Sequence, residues 1–152
     1  MKDKIDDKML DLLQKNGRIT TSDLAVAVGL SVPATADRLK KLVENGLITD
    51  FRAVLHPRRN GYDVTAFIQV IMSSSNHYEE LVKAANATSE VLECHSVTGE
   101  GSHLLKIRTH NTSSLEALLR QIQKWPGVLQ THTVIVMSTY KEKTYLSPTP
   151  PE

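Results

Sequence analysis

The chain has 152 residues, 40% hydrophobic and 23% charged, with 18 Lys and Arg against 17 Asp and Glu. That is ordinary globular composition, enough for one domain or two small ones. No apolar run is long enough for a membrane span, no signal peptide is read at the start, and a single cysteine, Cys94, rules out an internal disulfide, so a cytoplasmic location is expected.

In chain order, Ile5, Met9, Leu12 and Leu13 make the apolar stripe of a first helix that ends before Gly17. Thr20, with Asp23 three residues on, opens a second helix that stops at Gly29, where glycine takes the left-handed conformation and Leu30 plugs the turn. Ser31 supplies an N-cap oxygen and Pro33 sits in the first turn, so a third helix starts almost at once. Helical spacing puts Val32, Ala36, Leu39, Leu42 and Val43 on its packed side and Ala34, Asp37, Arg38 and Lys41 outward.

This is a helix-turn-helix, whose second helix enters the major groove of double-stranded DNA with its N-terminal residues nearest the base edges. Pro33, Ala34 and Arg38 are expected at the bases, with Arg38 pairing two ways with a guanine, and Ser31 and Thr35 stand at the same DNA-facing end. Lys40, Lys41, Arg18 and the N-terminal amides of the helix suit phosphate oxygens. A solvated amphipathic helix is the plainer interpretation of the charges alone, but the Gly29 turn, the Ser31 cap and the short basic helix occur in the required order.

After Gly46 the pattern turns β-rich, and Leu47 to Leu55 is expected as a strand leaving the DNA domain, with Pro57 to Gly61 as linker. Next come a strand over Val64 to Met72 and a helix over Tyr78 to Ala87, with Leu81, Val82 and Ala85 inward. Val91 to Thr98 and His103 to Thr109 should form a hairpin around Gly99-Glu100-Gly101-Ser102. A helix capped by Thr112 or Ser113 carries Leu115, Leu118, Leu119 and Ile122, and a last strand runs from Gln130 to Tyr140. The fold class is therefore α+β: an N-terminal winged-type helix-turn-helix domain joined to a C-terminal ferredoxin-like βαββαβ domain. The expected boundaries are residues 1–48 for DNA binding, 49–61 for strand and linker, 62–145 for effector binding and oligomerisation, and 146–152 for a flexible tail. Both faces of the Val64 to Met72 strand are largely apolar, so the face without helices should be covered by a second copy in a dimer.

Charge divides unevenly along the chain. Residues 1–60 hold 11 Lys and Arg against 8 Asp and Glu, the remainder 7 against 9. A basic front half suits a polyanion-binding module.

The sequence resembles the Lrp/AsnC, or feast/famine, family of transcription regulators over nearly its whole length. The resemblance is carried by Ile5-Asp6-Asp7, Asn16-Gly17-Arg18, Val28-Gly29-Leu30-Ser31, Arg38-Leu39-Lys40-Lys41-Leu42, Gly46-Leu47-Ile48, Val97-Thr98-Gly99, Leu104-Leu105-Lys106 and Pro126-Gly127-Val128. It implies a homodimer that assembles to an octamer, binds promoter DNA and responds to an amino acid or related metabolite. The effector loop it implies is Gly99, Glu100, Gly101 and Ser102, with Gln130, Thr131 and Thr133 contributing from the last strand. The sequence departs from the family at Ser102, where many members carry Asp, and at His103, where an aromatic follows. An architectural DNA-binding protein and a haem-biosynthesis decarboxylase of similar fold are the competing interpretations. For the latter, His95, His103 and His132 lie on or beside strands without metal-ligand spacing, and no catalytic residue, metal or cofactor is expected.

Overall fold

The computed structural model describes residues 3–148, which divide into two compact units. One comprises the chain through Val54 together with the segment from Lys141 onward, and the other runs from Leu55 to Tyr140.

Three helices build the first unit: α1 (Lys4–Lys15), α2 (Thr21–Val28) and α3 (Val32–Glu44). Asp3 caps α1 by accepting from the Ile5 and Asp6 amides, and Asp6 returns the bond to the Asp3 amide. These bonds satisfy donors that a helix start leaves open. Thr20 Oγ1 accepts from the Asp23 amide at 3.0 Å, and α2 ends on Gly29 at φ 73°. Met9, Leu13, Leu24 and Leu42 form the core, with Leu12, Ile19 and Leu39 packed against them.

The packed face of α3 differs from the expected one. Thr35 and Leu42 are buried and Leu39 is half-buried, whereas Val32, Ala36 and Val43 are exposed. Leu39 and Leu42 belong to both faces, so the packed side is shifted around the helix by about 50°, half a residue step. Thr35 can be buried because its hydroxyl donates to the Ser31 carbonyl at 3.0 Å, which removes the usual cost of an unpaired polar group.

Residues 49–55 form no strand and lie outside the only sheet among the described residues. The expected flexible tail also begins differently. The Gln14 side-chain amide brackets Leu146, donating to its carbonyl and accepting from its amide, both at 2.8 Å, and the Tyr145 hydroxyl donates to Asp11 at 2.6 Å. The segment that ends at Leu146 is thus fastened to α1; the remainder of the expected tail beyond residue 148 lies outside the described residues.

In the second unit the elements are β1 (Val64–Met72), α4 (Tyr78–Ala87), β2 (Val91–Ser96), β3 (His103–Thr109), α5 (Thr112–Ile122) and β4 (Val128–Ile135), with short 3-10 turns at Arg58–Asn60 and Ser75–His77. The sheet is antiparallel throughout, in the order β2-β3-β1-β4, as βαββαβ connectivity requires. Strand alternation buries Ala66, Ile68, Val70, Leu105 and Ile107 against Leu81 and Ala85 of α4 and Leu115, Leu118 and Ile122 of α5. Each large side chain so buried contributes roughly 1.5–3 kcal/mol.

Three expectations are corrected here. Asn111, not Thr112 or Ser113, caps α5, accepting from the Ser114 amide at 2.9 Å. Val82 faces outward on α4. β4 starts at Val128 and ends at Ile135, short of Tyr140, with a register shift against Ile71 and Met72.

Candidate functional site

The first site is the outer surface of α3. Exposed along it are Pro33, Asp37, Lys40 and Glu44 at helical spacing, flanked by Ala36 and Lys41. Ala34 is also exposed, and its amide donates to Ser31 Oγ at 3.3 Å, so Ser31 acts as the N-cap. Lys41 pairs with Asp37 at 2.7 Å and Lys40 with Glu44 at 3.6 Å, both one turn apart on solvent-facing side chains. Such exposed pairs are weak and yield to a stronger anion. The Lys41 ammonium holds the Asp37 carboxyl below its ordinary range.

Two of the residues expected at DNA are committed elsewhere. Thr35 is buried with its hydroxyl on Ser31. The Arg38 guanidinium turns toward α1, where Nη1 donates to Asp3 and to Asp6, each at 2.8 Å. These two carboxylates, Asp3 first, raise the guanidinium's pKa above its ordinary value. In the chain without DNA, Arg38 is therefore a brace between α1 and α3. Arg18 is exposed, as a phosphate contact needs.

The second site is the loop between β2 and β3 together with the sheet face that carries no helices. The Ser102 amide donates to the Val70 carbonyl at 3.0 Å, fixing the loop to β1, and Ser102 Oγ lies 2.9 Å from His103 Nδ1. His103 is buried, edge-on to the Tyr78 ring at 4.8 Å, and burial pushes its pKa down. Gly101 is buried against Gln69: a Cβ there would overlap Gln69 Cγ and stand 3.0 Å from Cδ. Gln69 is opposite His132 in the sheet, and the His132 ring Nε2 is 2.9 Å from the Gln130 amide.

Loop, Gln69, His132 and Gln130 thus follow one another across the open face. Thr131 and Thr133 do not join them, because alternation along β4 places them opposite Val70 and Ile68, on the helix-covered side. Thr131 Oγ1 accepts from Gln123 there, at 3.2 Å. Gln69 was not among the expected effector residues, and its signal was a polar side chain within the apolar run from Ala66 to Met72. Glu100 and Gly99 lie at the exposed tip, with Gly99 at φ 115°. A shallow hollow of about 470 Å³ along α4, lined by Tyr78, Glu79, Val82, Lys83 and Asn86, includes none of the expected effector residues. Among the described residues no three His, Cys, Asp or Glu side chains gather as a metal site, and no helix is long and apolar enough to cross a membrane.

A helix-turn-helix unit followed by a βαββαβ unit defines a two-module transcription regulator, and comparison with known proteins agrees. Residues 2–49 match the winged helix-turn-helix DNA-binding family, and residues 65–146 match the Lrp/AsnC ligand binding domain. The chain is 36% identical over 144 residues to the HTH-type transcriptional regulator FL11 of Pyrococcus abyssi, covering 95% of each. It is 38% identical over 143 residues to the proline dehydrogenase transcriptional activator of Rhizobium radiobacter, covering 92% of each. Among solved structures, a transcriptional regulator from Neisseria meningitidis in complex with L-methionine superimposes with a TM-score of 0.90 at 30% identity, over 96% of both chains. The chain belongs to the Lrp/AsnC family of transcriptional regulators.

Proposed function

We propose that the chain binds promoter DNA through the outer face of α3 as a homodimer able to assemble to an octamer, and that a small amino acid or related metabolite modulates it. The observation that carries the DNA reading is the exposed stripe of Pro33, Asp37 and Lys40, flanked by Ala36 and Lys41, on a helix started by a tight turn. In this reading Lys40 takes over the base contact expected of Arg38, since lysine also pairs with guanine acceptors, and Asp37 suits a cytosine amine. Lys41 and Arg18 serve phosphates, while Pro33, Ala34 and Ala36 let the helix approach closely.

Dimerisation is assigned to the open sheet face. Phe67, Ile71 and Val134 stand on it among polar side chains, with Phe67 36% and Val134 66% exposed in the single chain. A symmetric dimer matches two recognition helices to successive major grooves. The effector is assigned to the loop at Gly99–Ser102 with Gln69 and Gln130; the L-methionine complex of the Neisseria regulator supports the amino-acid class. Modulation follows by linkage, the effector favouring one assembly over another. The chain works in this reading as a cytoplasmic regulator rather than an enzyme.

The test is sequencing of genomic DNA fragments retained by purified protein, wild type beside Lys40→Ala, with and without an amino-acid pool. A small set of fragments lost in the variant is expected, with a pattern that shifts with the pool. Diffuse retention that neither change alters would favour an architectural role instead.

A further inference from the structure

The 3-10 turn at Arg58–Asn60 lies near the start of the second unit and is locked more firmly than a plain connection requires. The Asn60 side chain donates to the His56 carbonyl at 2.8 Å, the Asn60 and Tyr62 amides to the Pro57 carbonyl at 2.9 and 3.1 Å, and the Gly61 amide to the Arg58 carbonyl at 3.0 Å. Just past β3, the His110 ring donates from Nδ1 to the Gly61 carbonyl at 2.8 Å and stacks on Tyr62 with the ring centres 4.6 Å apart. The backbone that carries Arg58 and Arg59 is thus held on both sides.

These bonds account for Pro57, Asn60 and Gly61, but not for the two arginines. Both are exposed, and neither guanidinium has an ion pair or hydrogen bond among the described residues. Elsewhere in the unit Lys106 pairs with Glu93 and Arg120 with Glu116, and from Leu55 to Tyr140 seven Lys and Arg balance seven Asp and Glu. The turn is a concentrated positive spot on an otherwise even unit. Two neighbouring guanidiniums repel one another, a cost that an ordinary turn has no reason to bear, whereas side by side their forks suit closely spaced phosphates.

Chain length says which phosphates. The Ile48 amide donates to the Leu42 carbonyl, so the chain is still fastened to α3 at that point. Ten residues lead from Ile48 to Arg58, at most about 36 Å when fully extended, and one turn of duplex is about 34–36 Å long. A duplex held by α3 is therefore within the tether's reach of the arginines, and the tether raises its effective concentration there.

We propose that Arg58 and Arg59 form a second DNA contact outside the helix-turn-helix, gripping backbone phosphates of the duplex that α3 binds. The contact rests on the DNA reading of α3 given above and adds affinity that is independent of sequence.

The test has two arms on the full chain. In the first, DNA affinity is measured at several salt concentrations. The double variant Arg58→Gln with Arg59→Gln is expected to lower the slope of log affinity against log salt by about 2 per subunit, equally on specific and random DNA. Arg120→Gln, which loses one charge far along the chain, should leave the slope unchanged. A double variant with the wild-type slope, while Lys41→Ala still loses about 1, would overturn the arginine contact and leave α3 standing. No change of slope in any of these variants would overturn both.

In the second arm, the arginines of the wild-type chain are modified with phenylglyoxal and mapped by mass spectrometry, with duplex, with inorganic phosphate at the same ionic strength, and with neither. Duplex alone is expected to protect Arg58 and Arg59 and to leave Arg120 reactive. Equal protection by inorganic phosphate would make the turn a site for a free anion and overturn the DNA assignment, and so would unprotected arginines in a chain that has bound its duplex.

Discussion

Arg38 Nη1 and Asp6 Oδ1 are 2.8 Å apart, joining α3 to the first turn of α1, and Asp6 is the less exposed partner, with 14% of its side-chain surface open to solvent. Asp6 also accepts from the Asp3 amide as part of the α1 cap. One carboxylate therefore ties the start of the first helix to the helix proposed to face DNA. Arg38→Ala leaves Asp6 without its cation in a partly desolvated position and loosens the seating of α3. The expected outcome is a lower melting temperature and a loss of DNA affinity that is equal on specific and random DNA. Thermal unfolding and titration of both DNAs check it; a loss confined to the specific site would return Arg38 to the base edges. Adding Asp6→Ala to Arg38→Ala should cost little more, since the two act as one unit.

Lys40 and Lys41 are neighbours in sequence with different expected roles. Lys41→Ala removes one phosphate contact per subunit, so binding should weaken on every sequence and the slope of log affinity against log salt should shrink by about 1 per subunit. Lys40→Ala should instead cost about 1–3 kcal/mol of discrimination per contacted base pair, with a smaller loss on random DNA. Fluorescence titrations at several salt concentrations separate the two. Equal salt slopes and equal discrimination losses for both variants would contradict the division.

Local rules fix much of this fold before tertiary structure is considered. β1, α4 and β3 have the expected limits because their apolar runs are bounded by turn residues, and Gly29 with Ser31 sets the helix-turn-helix corner without help from the rest of the chain. What sequence hid was tertiary or intermolecular. Thr35 looks polar and Val32 apolar, and only the hydroxyl's bond to Ser31 explains why the threonine is inside. The destination of Arg38 depends on carboxylates more than 30 residues away. Leu47 to Leu55 has strand character but no partner strand among the described residues. On the last strand the sequence did not show which face each residue takes: Gln130 and Thr131 are adjacent in sequence and on opposite sides of the sheet.

Gly101 is needed for space. An added methyl group would overlap Gln69 Cγ, and the neighbouring Gln69 amide is in contact as well. Gly101→Ala should therefore displace either the Gln69 side chain or the loop. Thermal stability is expected to fall by about 1–3 kcal/mol, the usual cost of forcing a group into packed surroundings. Gln69→Ala removes the obstacle, so Gly101→Ala combined with Gln69→Ala should recover most of the loss relative to Gln69→Ala alone. Strict additivity of the two losses would show that the glycine is required for another reason. Amino-acid binding measured on the same variants tests whether the loop position also governs the effector site.

His103 is buried against Tyr78 and Ser102, and burial lowers its pKa from the ordinary 6.5. The neutral ring is thus the native form, while the unfolded chain takes up a proton at the ordinary value. Between those two pKa values the unfolded state binds more protons, so its contribution to stability is fully present above about pH 6.5 and is lost as pH falls toward the lower, folded value. Melting temperature followed from pH 8 downward should begin to drop near pH 6.5, over and above a background set by the other titrating groups. His103→Gln keeps a polar side chain of similar reach but cannot titrate, so it should flatten that part of the profile. An unchanged slope in the variant would mean that the loss of stability comes from other groups and that burial does not govern the protonation of His103.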